Sequence, residues 1–156
     1  MPFLSVENVS KCYSIEGRRV EALREVSLEI GENEFVTVVG RSGSGKTTLL
    51  RILASLVPPT AGSVKFRGRS CSQEEPLPAG MVFQEARLMP WLSALDNILF
   101  AYPPRERNEG LRERALKMIE TVGLKGYEMA LPAQLSGGMA QRVALGRALV
   151  KNPPVI

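Results

Sequence analysis

The chain has 156 residues, 44% of them hydrophobic and 23% charged, with a formal net charge of +4. This is the make-up of a globular protein long enough for one core. The absence of histidine excludes Ser-His and Cys-His nucleophilic systems and His-bearing metal sites. Two isolated cysteines, Cys12 and Cys71, exclude a disulfide framework and are read as free thiols.

In chain order, strands are expected over 3–9, over 26–30 with alternating apolar positions, and over 35–39 as a buried apolar run, with turns at Gly17 and 31–33. Residues 40–48 then read Gly40-Arg41-Ser42-Gly43-Ser44-Gly45-Lys46-Thr47-Thr48, which fits G-x-x-x-x-G-K-[ST], the loop that wraps nucleotide phosphates. A helix is expected over 47–54, completing the strand, glycine turn and helix that this chemistry needs. Glycines let successive N–H groups turn inward around phosphate oxygens. The helix start adds unpaired N–H groups and the positive end of its dipole. Lys46 is placed to reach the β- and γ-phosphates, and the Thr47 hydroxyl to ligate Mg²⁺. A turn that merely joins a strand to a helix is the alternative, disfavoured by that context.

A breaker at 58–62 precedes a short strand over 63–66, and 67–78 is polar and turn-rich with no element assigned. The apolar run 81–83 is expected to return to the sheet and end at Gln84. Helical character follows. In 108–122, Leu111, Ala115, Met118, Ile119 and Val122 share one face, Glu113 and Lys117 make an i, i+4 pair, and Gly123 closes the helix. The basic residues between Arg105 and Lys117 alternate with Glu106, Glu109 and Glu113, the pattern of a solvated helix face and not of a nucleic-acid track. Ser136 caps a helix running to Val150, which Asn152-Pro153-Pro154 stops. Val155-Ile156 reads as the start of a buried strand. No apolar run approaches the ~20 residues of a membrane span and the first residues lack a secretory layout, so a cytoplasmic location is expected.

The second chemical feature is Leu135-Ser136-Gly137-Gly138-Met139-Ala140-Gln141-Arg142. Two glycines behind a capping serine expose N–H groups at a helix start, again an anion site, although a plain cap with small residues gives the same string.

Together with the phosphate loop, this stretch resembles the L-S-G-G-Q signature of the nucleotide-binding subunit of ATP-binding cassette (ABC) transporters, and the resemblance extends over essentially the whole chain. Tyr13 matches the family's adenine-stacking aromatic, Gln84 its glutamine loop, and Arg142 lies within the signature helix. Residues 88–98, around Pro90 and Trp91, look like importers of nitrate, sulfonate and taurine-type solutes. Each match also has a plainer reading. Tyr13 is equally a sheet-edge aromatic, Gln84 a strand-terminal polar residue against an amide meeting Mg²⁺ or the attacking water, and Trp91 a buried anchor against a contact for a membrane partner. Met139 departs from the family's glutamine and cannot donate its amide hydrogen bond, while Ser136, Gly137 and Gly138 remain.

The resemblance implies an α/β fold: a P-loop NTPase (RecA-like) core with an N-terminal antiparallel β region, an inserted α-helical subdomain and an incomplete core sheet. It implies one ATP-binding domain, with the nucleotide-binding core over about 1–85, the helical subdomain over about 86–134, and the signature helix with the next strand over 135–156. It implies a head-to-tail homodimer that sandwiches ATP and Mg²⁺ between one subunit's phosphate loop and the other's signature. It further implies a membrane permease partner, a solute-binding protein reached only through it, no nucleic acid, and attachment at the cytoplasmic membrane face. The family's Mg²⁺-binding aspartate, its catalytic glutamate and its switch histidine follow the region matched here. The chain is therefore expected to be a C-terminally truncated cassette that binds ATP but hydrolyses it slowly, and that aggregates readily. The alternatives are a non-catalytic nucleotide-binding or regulatory module and a soluble non-transport ABC protein.

Overall fold

The computed structural model describes residues 2–156, which form two compact units, one running to Leu77 and the other Pro78–Ile156.

The first unit is built on an antiparallel four-stranded sheet of order β2-β1-β3-β4, with β1 Leu4–Ile15, β2 Arg18–Ile30, β3 Ala61–Phe66 and β4 Arg69–Cys71. Strands β1 and β2 both outrun their sequence-based ranges because they form one long hairpin, pairing from Leu4↔Ile30 to Ile15↔Arg18. Its two-residue turn, Glu16-Gly17, takes positive φ at both positions, the backbone that matches strand twist. Arg67-Gly68 repeats this device and creates β4 in a stretch that carries no sequence pattern of its own. Helix α1, Lys46–Leu53, lays Leu49 and Ile52 into the core with Leu4, Val6, Val9, Leu23 and Val64. At the sheet's end Phe3 meets Phe66 edge to face, ring centroids 5.0 Å apart, with the Arg67 guanidinium over both rings.

Two expected strands are absent from the sheets. Residues 35–39 form no ladder among the described residues, and Phe35 and Val39 stand 93% and 87% exposed. The apolar run has the composition of a strand buried on both faces, but composition supplies no neighbours. Residues 81–83 are likewise unpaired. The chain does not return to the sheet there; two residues earlier an isolated parallel bridge joins Ala79 to Val155, with Gly80 N–H donating to the Val155 carbonyl at 2.8 Å. Ile156 is exposed.

The second unit is helical: α2 Ala94–Leu99, α3 Glu109–Thr121 and α4 Gly137–Leu149, with short 3₁₀ turns at Pro104–Glu106 and Pro132–Gln134. Side-chain caps start all three helices. Ser93 Oγ accepts from Asp96 N–H, Asn108 Oδ1 from Leu111 N–H and Ser136 Oγ from Met139 N–H. Leu95, Ile98, Ala115, Ile119, Leu124, Val143 and Val150 close the core. The helices approach tightly at Gly146, where a Cβ would stand 2.9 Å from Ile98 Cδ1. The expected Glu113–Lys117 ion pair is not among the salt bridges of the described residues; Lys125 pairs with Glu120 instead.

Candidate functional site

The phosphate loop lies in the first unit and is set by backbone geometry. Gly43 and Gly45 take φ of +78° and +88°. At Gly45 a Cβ would sit 2.3 Å from the Ala22 carbonyl oxygen and 2.8 Å from Leu23 Cδ2, so only glycine lets the chain pass β2 and turn into α1. Ser44 N–H closes the loop on the Arg41 carbonyl at 3.2 Å. The Lys46 ammonium turns into the loop and donates to the Gly40 and Arg41 carbonyls at 2.8 and 2.7 Å. Helix α1 has no side-chain cap, so its leading N–H groups have no partner within the helix. Arg41, Ser42, Gly43, Ser44 and Thr47 are exposed, and Thr48 is half-buried. A cationic head inside a glycine-rich loop, against an uncapped helix start, is an arrangement whose electrostatics favour a polyanion.

Tyr13 belongs to the same unit, on β1 opposite Val20 of β2. It is half-buried, with the Lys11 ammonium over its ring, 5.2 Å from the centroid.

Gln84 and the Leu135–Arg142 stretch both belong to the second unit, and α4 connects them. Gln84 is exposed, and its carbonyl accepts a hydrogen bond from Gln141 Nε2. Arg147, six residues further along α4, donates Nη2 to the Ala86 carbonyl at 2.8 Å and Nη1 to the Arg87 carbonyl at 3.0 Å. Burial lowers the pKa of this guanidinium from its ordinary value. Neither Gln141 nor Arg147 follows from the sequence, because acceptors about sixty residues away leave no local pattern.

At the start of α4, Ser136, Gly137 and Gly138 are exposed. A Cβ at either glycine would meet nothing within 4 Å, and neither has positive φ. Packing within this chain therefore does not require glycine at either position; bare backbone there suits close approach by something outside it. Met139 packs against the helical core, which accounts for an apolar residue in place of the amide. Arg142 donates Nη1 to the Val122 and Gly123 carbonyls at 3.2 and 3.0 Å, closing the C-terminus of α3.

Trp91 is 72% exposed, so the buried-anchor reading is set aside. Neither the turn beneath it nor α2 follows from a sequence pattern, although Ser93-Ala-Leu-Asp96 carries a capping signal. Asn97, fully buried, accepts from Met89 N–H at 2.8 Å and donates Nδ2 to the carbonyls of Met89, Leu92 and Ser93. Both cysteines are free, and burial raises the pKa of the Cys71 thiol.

Comparison with known proteins bears on the family and the fold. The family model described as ABC transporter matches residues 23–156. An uncharacterized ABC transporter ATP-binding protein of Methanocaldococcus jannaschii, MJ0412, is 47% identical over 155 residues, covering 98% of this chain and 57% of that protein. The aliphatic sulfonates import ATP-binding protein SsuB of Bacillus subtilis is 42% identical over 146 residues, covering 94% of this chain and 56% of that protein. The chain thus spans somewhat more than half the length of either relative. Among solved structures, the ATP-binding cassette MJ0796, in a dimeric post-hydrolysis state bound to ADP and Pi, superimposes with a TM-score of 0.84 at 37% identity, covering 96% of this chain and 70% of that one.

Proposed function

Because the chain belongs to the ABC transporter family, as an ATP-binding domain, we propose that it is the part of a transport ATPase that grips ATP and passes its binding to a membrane partner. One observation carries this reading: the Lys46 ammonium held inside the Gly40–Gly45 loop at the uncapped start of α1. The loop fits a triphosphate, since its N–H groups, Lys46 and the α1 dipole all favour negative charge. Arg41, Ser42, Gly43, Ser44 and Thr48 line this grip, and Tyr13 offers a flat face for the base.

The donor set also suits Mg²⁺, which takes few protein ligands and completes its shell with phosphate and water. The Thr47 hydroxyl and the Gln84 amide oxygen are hard oxygen donors of that kind. No group of three His, Cys, Asp or Glu residues able to hold a metal occurs among the described residues. In this role Thr47 would hold the ion, which would supply charge neutralisation at the phosphates, and Gln84 would orient the attacking water.

Ser136, Gly137 and Gly138 serve a second copy in a head-to-tail dimer, meeting the phosphates bound to the partner's loop. The exposed Trp91 turn and the rest of the helical unit face a permease at the cytoplasmic side of the membrane, with a solute-binding protein acting through that permease. The resemblance around Pro90-Trp91 and the SsuB likeness favour uptake of sulfonate-, taurine- or nitrate-like solutes. Residues 1–156 by themselves bind ATP and turn it over slowly.

Calorimetric titration of the 156-residue chain tests the binding step. ATP is expected to bind, and Lys46→Ala to weaken it about ten- to a hundredfold, the worth of a charge-assisted contact. Equal affinity in the two proteins overturns the reading. For the solute, a strain lacking the gene is expected to fail on a sulfonate, taurine or nitrate as sole sulfur or nitrogen source. Normal growth on all three removes that part and leaves nucleotide binding standing.

A further inference from the structure

Lys11 and Tyr13 stand two residues apart on β1, and the Lys11 ammonium lies over the Tyr13 ring. The same ammonium donates to the Pro58 carbonyl at 2.7 Å, in the turn that follows α1, the helix that opens at the phosphate loop. That turn does not depend on Lys11. Thr60 N–H donates to the Ser10 carbonyl at 2.8 Å, and Cys12 N–H to Thr60 Oγ1 at 3.0 Å, fastening it to β1 on either side of Lys11. The side chain is therefore spare for the fold, yet it is tethered at its tip and spread across an aromatic face.

We propose that Lys11 is a positioning residue for nucleotide binding: tethered to Pro58, its ammonium covers one face of Tyr13 and fixes the ring so that the adenine of ATP stacks on the other face. This rests on the reading of Tyr13 as the base platform. A tyrosine on a half-exposed strand turns about two side-chain torsions, and a base that stacks on it must arrest them. A cation already seated on one face arrests them beforehand and leaves a single face for the base. Lys11 thus acts through Tyr13 on the base and makes no contact with the phosphates.

The test compares the 156-residue chain binding ATP with the same chain binding inorganic tripolyphosphate, which has the charge but no base. Lys11→Met is expected to raise the Kd for ATP about two- to fivefold, the range of an exposed cation–π contact, and to leave that for tripolyphosphate unchanged. Lys11→Arg keeps a tethered cation and is expected to restore the wild-type ratio. In a Tyr13→Ala background, Lys11→Met is expected to add nothing. Equal weakening of both ligands by Lys11→Met overturns the proposal, because it marks a plain charge or stability effect. So does an unchanged ratio when Tyr13→Ala does lower it, which leaves the platform standing without Lys11. If Tyr13→Ala itself leaves the ratio unchanged, the platform reading fails and the proposal falls with it. Lys11→Gln, checked for an unaltered melting temperature, repeats the comparison should Lys11→Met not fold.

Discussion

Asn97 shows how much one residue can hold. Its side chain satisfies one N–H and three carbonyls of the Met89–Ser93 turn from a fully buried position. The Met89 and Ser93 carbonyls also accept backbone N–H groups, from Leu92 and Asn97, so Asn97→Ala strips its partner from the Met89 N–H and the Leu92 carbonyl, where each unsatisfied group is costly. A loss of about 2–4 kcal/mol in urea unfolding is expected, measured by circular dichroism. A variant as stable as wild type would show that water replaces the amide. Gly45 sits at the opposite extreme, defined by what it lacks. Gly45→Ala forces a left-handed φ and a backbone collision with Ala22, so loss of ATP binding is expected in titration even where the fold survives.

At the scale of elements, caps and charge pairs set local stability. Ser136 caps α4 through Met139 N–H at 3.2 Å, and Ser136→Ala is expected to cost about 1 kcal/mol in chemical denaturation. Asn at the same position, another good cap, is expected to restore it. Between β1 and β3, the hydrogen bond from Lys65 holds the Glu7 carboxyl below its usual range, helped by the charge of Lys65 and a bond from Ser63. A carboxyl depressed in the folded state stabilises above its unfolded pKa of about 4.3, and that contribution is lost as pH falls through the folded value. The melting temperature is therefore expected to drop between about pH 5 and pH 3. Glu7→Gln is expected to show a smaller drop; an identical profile would mean the exposed pair adds nothing.

For the molecule as a whole, the exposed 35–39 run is the main hazard. Phe35, Val36, Val38 and Val39 form an apolar stretch with unpaired backbone, which is a template for association between chains. Light scattering of the chain carrying both Phe35→Ser and Val39→Ser is expected to show less aggregation than wild type, and an unchanged onset would place the sticky surface elsewhere. Nucleotide saturation is expected to protect amides of the unit running to Leu77 against hydrogen exchange, by about 2.7 kcal/mol at a ligand concentration a hundred times Kd.

Much of this was legible in the residues. The phosphate loop, the caps at Asn108 and Ser136, and the apolar face of α3 are all encoded within a few positions, because loop closure, capping and helix periodicity are local. Local patterns also misled where a partner decides the outcome: 35–39 and 81–83 have strand composition but find no strand beside them. Helix α2 and strand β4 leave no periodic pattern because one is only six residues long and the other only three. Both take their shape from a turn or a buried amide. By itself, the sequence determined which family the chain belongs to, since the Gly40–Thr48 and Leu135–Arg142 motifs are contiguous strings whose backbone chemistry travels with them. Only the tertiary structure decided that Gln141 and Arg147 fasten the Gln84 loop to α4, that Met139 belongs to the core, and that Lys11 lies across Tyr13. Those contacts join residues by register and packing, and nothing in the spacing of a chain records which carbonyl a distant side chain will meet.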